Sequence, residues 1–161
     1  MTAKELMKQC EAEEKELKFR EFSSETALAI GMALIEEAKN RNNKICIDIA
    51  IAGRRLFHYS SDGNAVSNDI MIERKKKTAM HTGHSSLWAH YMLEDCGMNI
   101  KEKWALEPSE YAQVGGAFPI RLENCQTAIG TITCSGFNHE QDHSTVSYTH
   151  LRAHETSQDL V

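Results

Sequence analysis

Residues 45–59, ICIDIAIAGRRLFHY, decide the fold of this 161-residue chain. Isoleucines occupy every second position from Ile45 to Ile51, and this period of two with β-branched side chains predicts a strand. Gly53 lies in the short turn that follows, and residues 55–59 have the composition of a second strand. Because so short a connection requires antiparallel pairing, the stretch predicts a β-hairpin.

Helical patterns lie on both sides of this hairpin. A threonine–glutamate capping box opens a thinly amphipathic helix at the N-terminus, and residues 23–40 carry a wider apolar helical face. Ser67 or Asn68 is predicted to cap a third helix, and a fourth is predicted to end at Gly97 in a left-handed stop. Residues 118–134 then predict a second hairpin.

The order of these elements predicts a single α+β domain, in which helices pack on an antiparallel sheet of about four to five strands. A chain of 161 residues is long enough to bury one core. A last helix is predicted to start at Asn138. Residues 145–161 resemble translated adapter or vector sequence. We therefore expect the domain to span residues 1–144 and a non-native tail to replace its terminal helix.

Composition narrows the class of protein. The chain has 18 basic and 23 acidic side chains, and its net charge of -5 argues against a nucleic-acid partner. It contains no apolar run long enough to cross a membrane and no signal-peptide pattern. Its five cysteines have no disulfide spacing, which favours reduced thiols. The expected location is the cytoplasm, without a membrane or nucleic-acid partner.

Three further stretches carry a family resemblance. They are RKKKTAMHTGHSSLW at residues 74–88, VGGAFPIRL at residues 114–122 and GTITCSGFNHEQDH at residues 130–143. In this order the motifs resemble the haem-degrading-domain family, in particular its small cytosolic branch of uncharacterised proteins. The resemblance covers about residues 22–143 and implies a profilin-like architecture and a homo-oligomer.

The resemblance also suggests where a ligand or a neighbouring subunit would bind. The residues that match the family motifs are Arg74, Lys75, His84, Ser85, Ser86, Gly115, Gly116, Phe118 and Pro119. Haem is the candidate cofactor that the family implies, and His81, His84 and His90 offer the imidazole that axial ligation requires. Trp88, Tyr91, Trp104 and Phe118 are either aromatic contacts between subunits or core residues.

Two other functions remain open from the sequence. His139, Glu140 and His143 match the HExxH pattern of zinc-dependent hydrolases, whereas acidic residues in the first turn of a helix give a simpler explanation. The basic residues 74–77 form either a solvated helix face or a surface that docks an acidic partner. The leading prediction is a cytosolic homo-oligomer that binds a small ligand, with haem as candidate and no established reaction; an adaptor module is the alternative.

Overall fold

The structure is a computed structural model that describes residues 1–136, 138, 140–147 and 149. Its centre is a five-stranded sheet in the order β1-β4-β5-β2-β3. The strands are β1 (Lys18–Phe19), β2 (Cys46–Ile51), β3 (Arg54–Ser60), β4 (Ala117–Leu122) and β5 (Gly130–Ser135). All neighbours pair antiparallel except β1, which runs parallel to β4.

Helices pack on this sheet, which confirms the predicted α+β class. They are α1 (Ala3–Glu16), α2 (Ser24–Asn40), α3 (Val66–Thr82), α4 (Ser86–Cys96) and α5 (Ile100–Trp104). The prediction of a wholly antiparallel sheet is corrected at one edge only, because β1 is two residues long and gives no periodic signal. No helix within the described ranges has the length and apolar character needed to cross a membrane.

The predicted hairpin is present as β2 and β3. Its two-residue turn has positive φ at both Ala52 (φ 50) and Gly53 (φ 81). This is the conformation of the tight two-residue turns that connect the strands of a β-hairpin. A register shift between Ile49 and Ala50 bulges the pair. Pro119 of β4 pairs with β5 on one side, and on the other side β1 pairs only with Arg121 and Leu122. The missing N–H of Pro119 therefore costs no hydrogen bond with β1.

Helix ends follow the sequence signals in most places. Thr2 and Glu5 form the predicted capping box on α1, and Gly97 ends α4 in the left-handed conformation. The predicted cap of α3 is wrong, because the observed N-cap is Ala65, two residues before Ser67 and three before Asn68, and it makes no side-chain cap hydrogen bond. An alanine carries no capping signal that a sequence pattern could reveal.

The main core lies between β2, β4, β5 and α2. It is made of buried aliphatic and aromatic side chains, including Ile30, Leu34, Ile45, Ile47, Ile49, Phe118, Ile120 and Ile132. Since side chains alternate across a strand, the residues between the isoleucines of β2 face the opposite layer. Cys46 and Asp48 accordingly contact Asp69 and Lys76 of α3.

The C-terminal segment is helical over residues 140–147. Asn138 opens it as predicted, since its side-chain oxygen accepts a hydrogen bond from Gln141 N at 2.8 Å. Val146 is buried in the main core at 1% exposure, so this turn packs with the rest of the domain. The assignment of residues 145–161 as appended sequence stays a prediction, and most of that range lies outside the described residues.

Candidate functional site

His84 lies in the sharp connection between α3 and α4. Gly83 ends α3 with φ 72, a left-handed conformation that glycine adopts without steric cost. Ser85 begins α4 as its N-cap, and its Oγ accepts a hydrogen bond from Trp88 N at 3.1 Å. With one helix ending just before it and the next capped just after it, His84 has a fixed backbone position.

A buried carboxylate from α1 fixes the His84 ring. Glu14 is 5% exposed; its Oε2 lies 2.6 Å from His84 Nδ1, and its Oε1 accepts a hydrogen bond from Ser85 N at 2.6 Å. An ionised carboxylate only accepts hydrogen bonds, so the proton of a neutral His84 lies on Nδ1. Nε2 then keeps its lone pair, and it makes no hydrogen bond to any residue that the structure describes.

Aromatic stacking restrains the same ring. The centroids of His84 and Trp88 are 3.9 Å apart and their planes differ by 17°. The indole is itself held, because Trp88 Nε1 donates a hydrogen bond to Glu11 Oε1 at 3.0 Å. Trp104 stacks further out, with its centroid 6.5 Å from that of Trp88. The imidazole is therefore oriented by two independent contacts.

His84 borders an open cavity of about 340 Å³. The lining residues come from α1, the start of β1, the His84 loop and β4, and they are Glu11, Glu14, Lys15, Lys18, His84 and Arg121. Both carboxylates already accept hydrogen bonds from protein donors, whereas Lys15 and Lys18 form no ion pair with a described residue. The rim of this cavity, called the His84 pocket below, therefore favours an anionic ligand.

Arg121 joins the pocket to the sheet. Its Nη2 donates a hydrogen bond to the carbonyl oxygen of Gly83, and its Nη1 donates one to Gln126 O at 2.9 Å. These bonds tie β4 to the loop that carries His84. The guanidinium also lines the pocket, where it is the third cation beside the two lysines.

A buried ion pair joins α3 to the C-terminal helical segment. Lys75 is 2% exposed, and its Nζ lies 3.1 Å from Asp142 Oδ2 and donates to Cys134 O at 3.1 Å. Gly116 passes beside this pair with φ 134, and an added Cβ would lie 2.7 Å from Lys75 Nζ. The predicted ligand residues Lys75 and Gly116 thus help to hold α3, β5 and the C-terminal helix together.

The other residues that match the family motifs also pack or form hydrogen bonds within the chain. Ser86 Oγ accepts a hydrogen bond from Ala117 N at 3.0 Å, Phe118 is 1% exposed in the core, and Arg74 donates to Pro108 O at 2.7 Å. Gly115 and Pro119 are likewise buried or within the sheet. Of the nine predicted residues, His84 is the one that lines the pocket, and direct ligand contact by the others stays a prediction.

The basic residues 74–77 form a solvated face only in part, because Lys77 is exposed whereas Lys75 is buried. Lys75 is buried, Lys76 Nζ lies 2.9 Å from the buried Asp48 Oδ1, and Lys77 Nζ lies 3.5 Å from Glu110 Oε1. The charges of these three lysines are balanced within the chain, and Arg74 donates to a backbone carbonyl oxygen. A docking surface for an acidic partner is therefore not supported at this helix face.

The HExxH alternative finds little support in the described residues. His139 lies outside them, and His143 is 4% exposed with Nε2 only 2.9 Å from Glu13 Oε2. Burial alone would raise the pKa of Glu13, but hydrogen bonds from His143 and Ser147 and the charge of His143 lower it overall. His143 thus contacts a carboxylate rather than an open coordination position, and zinc at this motif stays a prediction.

The aromatic residues proposed as subunit contacts are mostly core residues. Trp88, Tyr91 and Phe118 are at most 8% exposed within the single chain.

Cys10 lies in one buried cluster with Trp88 and Tyr91. Burial, together with the charges of Glu13 and Glu14, raises the pKa of Cys10 to about 12, so its thiol is neutral at physiological pH. The raised pKa disfavours the thiolate form of Cys10 that a nucleophile requires.

The pocket residues that α1 and the start of β1 contribute were not predicted from the sequence. The thin apolar stripe of α1 gave no indication that this helix would line a pocket. Glu11, Glu14, Lys15 and Lys18 recur at the spacing of one helical face, and this charged stripe is the signal that could have identified them. Arg121 lay inside a quoted motif without being singled out.

Comparisons with known proteins find a family model, relatives and solved structures that are similar to this chain. A family model described as "Haem degrading protein HbpS-like" matches residues 22–149. A UPF0303 protein of Edwardsiella ictaluri is 35% identical over 147 residues, which cover 91% of this chain and 93% of that protein. The crystal structure of the Ybr137w protein has a TM-score of 0.86 at 29% identity, covering 92% of this chain and 89% of that one.

A PduOC:Heme complex has the same fold. Its TM-score is 0.66 at 18% sequence identity, and the match covers 82% of this chain and 94% of that one. This identity is low enough that the likeness supports the fold alone.

Proposed function

Because this chain belongs to the HbpS-like haem-degrading protein family, we propose that its His84 pocket binds haem, with His84 Nε2 as the axial ligand of the iron. One observation carries the proposal: a histidine whose Nδ1 is held by a buried carboxylate while Nε2 has no partner among the described residues. Metal-binding histidines characteristically donate their second ring N–H to a carboxylate or carbonyl. When bound, haem would supply a redox-active iron.

The charge of the pocket also suits this ligand. Haem carries two propionates, and Lys15, Lys18 and Arg121 provide cations at the rim. The cavity of about 340 Å³ is at the small end of ligand pockets, which span roughly 300–1,000 Å³. Since it is open to solvent, it would cover one edge of the macrocycle. The PduOC:Heme complex, which shares the fold, is a precedent for haem on this scaffold.

The proposed function is binding rather than turnover. The hydroxyls next to His84 are committed to structure, since Ser85 Oγ caps α4 and Ser86 Oγ accepts from Ala117 N. The GHSS sequence therefore provides no serine that His84 could activate as a nucleophile. We also propose a cytoplasmic location, because the spacing of the five cysteines in the sequence favours reduced thiols.

A homo-oligomer is a further part of the proposal. Apolar side chains one helical turn apart are exposed on two helices, with Leu28 and Met32 on α2 at 48% and 55%, and Val66 and Ile70 on α3 at 73% and 57%. Neighbouring apolar side chains of this kind favour contact with another subunit over solvent. The buried Trp88 and Phe118 are not part of such a surface.

Titration of the protein with haemin, followed by Soret absorbance, tests the proposal. We expect a saturable shift at one haem per chain. The dimethyl ester of haemin, which lacks propionate charge, should bind up to about fivefold more weakly for each partly exposed ion pair lost. A shift that never saturates would overturn the proposal, and equal affinity for the ester would exclude the role of the basic rim.

A further inference from the structure

A second group of ligand-type side chains lies away from the His84 pocket, at the opposite edge of the sheet. Cys46 starts β2, His58 is on the neighbouring edge strand β3, and Asp69 is in the first turn of α3. Three separate elements therefore meet at this point. The ligand atoms Sγ, one imidazole nitrogen and one carboxylate oxygen all lie within 4.8 Å of one another.

The distances between these atoms are close to those around zinc. Zinc bonds of about 2.0–2.3 Å at tetrahedral angles place neighbouring ligand atoms roughly 3.3–3.8 Å apart. Cys46 Sγ lies 3.0 Å from Asp69 Oδ1, and His58 Nε2 lies 3.5 Å from the same oxygen. The third pair of atoms also lies within 4.8 Å, so the three ligand atoms are close enough to surround one ion, with water in the fourth position.

A second carboxylate lies beside the other ring nitrogen of the histidine. Asp48 is 0% exposed, and its Oδ2 lies 3.5 Å from His58 Nδ1, on the side of the ring opposite Asp69. Asp48 is itself fixed by Arg55 Nε at 2.7 Å and Lys76 Nζ at 2.9 Å. A carboxylate behind the second ring nitrogen is the usual outer shell of a metal-bound histidine. This arrangement is independent of the distances among the three ligand atoms.

The cluster is also accessible from solvent. The side chains of His58 and Asp69 are 32% and 41% exposed, whereas Cys46 lies beneath them at 0% exposure. An ion can approach through the two exposed ligands and reach the thiol last. The proton that Cys46 now donates to Asp69 would be released to solvent as the metal replaces it.

From these contacts we infer that Cys46, His58 and Asp69 form a binding site for a borderline-soft divalent metal, Zn²⁺ in the first instance. Thiolate and imidazole together select zinc over calcium or magnesium, which prefer oxygen ligands. The site keeps one coordination position for water. It is separate from the His84 pocket, so the two sites can be tested separately.

Substitution of cobalt for zinc gives the sharpest test, because cobalt bound to a thiolate has a charge-transfer absorption band. We expect one Co²⁺ per chain with this band, and displacement of the cobalt by Zn²⁺. Cys46→Ser should abolish the band, whereas Cys125→Ser, which alters a thiol outside the cluster, should retain it. His58→Gln should weaken Zn²⁺ binding at least about tenfold, a loss that outer-shell changes alone can produce.

His58→Gln also guards against a folding artefact, because His58 is partly exposed and Cys46 is buried. The native far-ultraviolet circular dichroism of each variant is measured alongside. Absence of stoichiometric metal from the unaltered protein would overturn the inference. So would full zinc binding by both Cys46→Ser and His58→Gln, a result that would instead direct attention to Glu140 and His143.

Discussion

Lys75→Met is expected to lower the free energy of unfolding by about 3–5 kcal/mol, measured by urea denaturation. The lysine is 2% exposed and lies 3.1 Å from Asp142 Oδ2. Methionine has a similar length but no charge, so the variant removes the buried cation that balances Asp142. A buried charge without its counter-ion is among the most destabilising features of a folded protein.

Two further variants distinguish the effect of leaving Asp142 without its counter-ion from the effect of removing any lysine. Lys77→Met removes a lysine of the same helix that is 47% exposed and paired with Glu110 at 3.5 Å, so it should change stability by less than about 1 kcal/mol. The double variant Lys75→Met/Asp142→Leu should recover much of the loss, because both charges are removed together. Equal stability of Lys75→Met and Lys77→Met would contradict this account.

Gly116→Ala is expected to have the second largest effect on stability. The residue has φ 134, a conformation that costs a residue with a side chain about 1–3 kcal/mol. The new methyl group would also overlap the carbonyl oxygen of Cys134 and lie 3.2 Å from Asp142 Cβ. Crowding of a packed interior adds about 1–3 kcal/mol, and thermal unfolding should show both contributions.

Gly53→Ala is the matched control for this prediction. Gly53 also has a positive φ of 81, but no atom lies within 4 Å of an added Cβ. Gly53→Ala should therefore lower the free energy of unfolding only by the strain of the left-handed backbone, about 1–2 kcal/mol. If Gly116→Ala were no more destabilising than Gly53→Ala, close packing around Lys75 would not be the reason that position 116 requires glycine.

Local patterns predicted the sheet and most helix ends. The alternation of Ile45, Ile47 and Ile49 depends only on neighbours in sequence, and it gave the β2–β3 hairpin. The stop at Gly97 is likewise a local backbone property. Strand β1 escaped notice because its two residues are held by β4, more than a hundred positions away in the chain.

The site was predicted less completely because it depends on contacts between distant segments. Lys75 belongs to a basic run that usually indicates a solvated helix, and its burial depends on partners at positions 134 and 142. His84 was identified through family resemblance. Its partner Glu14 is 70 positions away, and nothing in either local sequence indicates that the two residues meet.

The most direct test of the central claim is haemin titration of His84→Ala beside His81→Ala. His81 is an exposed histidine in the last turn of α3 and has no buried carboxylate partner among the described residues, so it controls for nonspecific imidazole binding. We predict that His84→Ala weakens haemin binding at least about tenfold and changes the Soret spectrum, whereas His81→Ala does neither. Native affinity and an unchanged spectrum in His84→Ala would contradict axial ligation by His84.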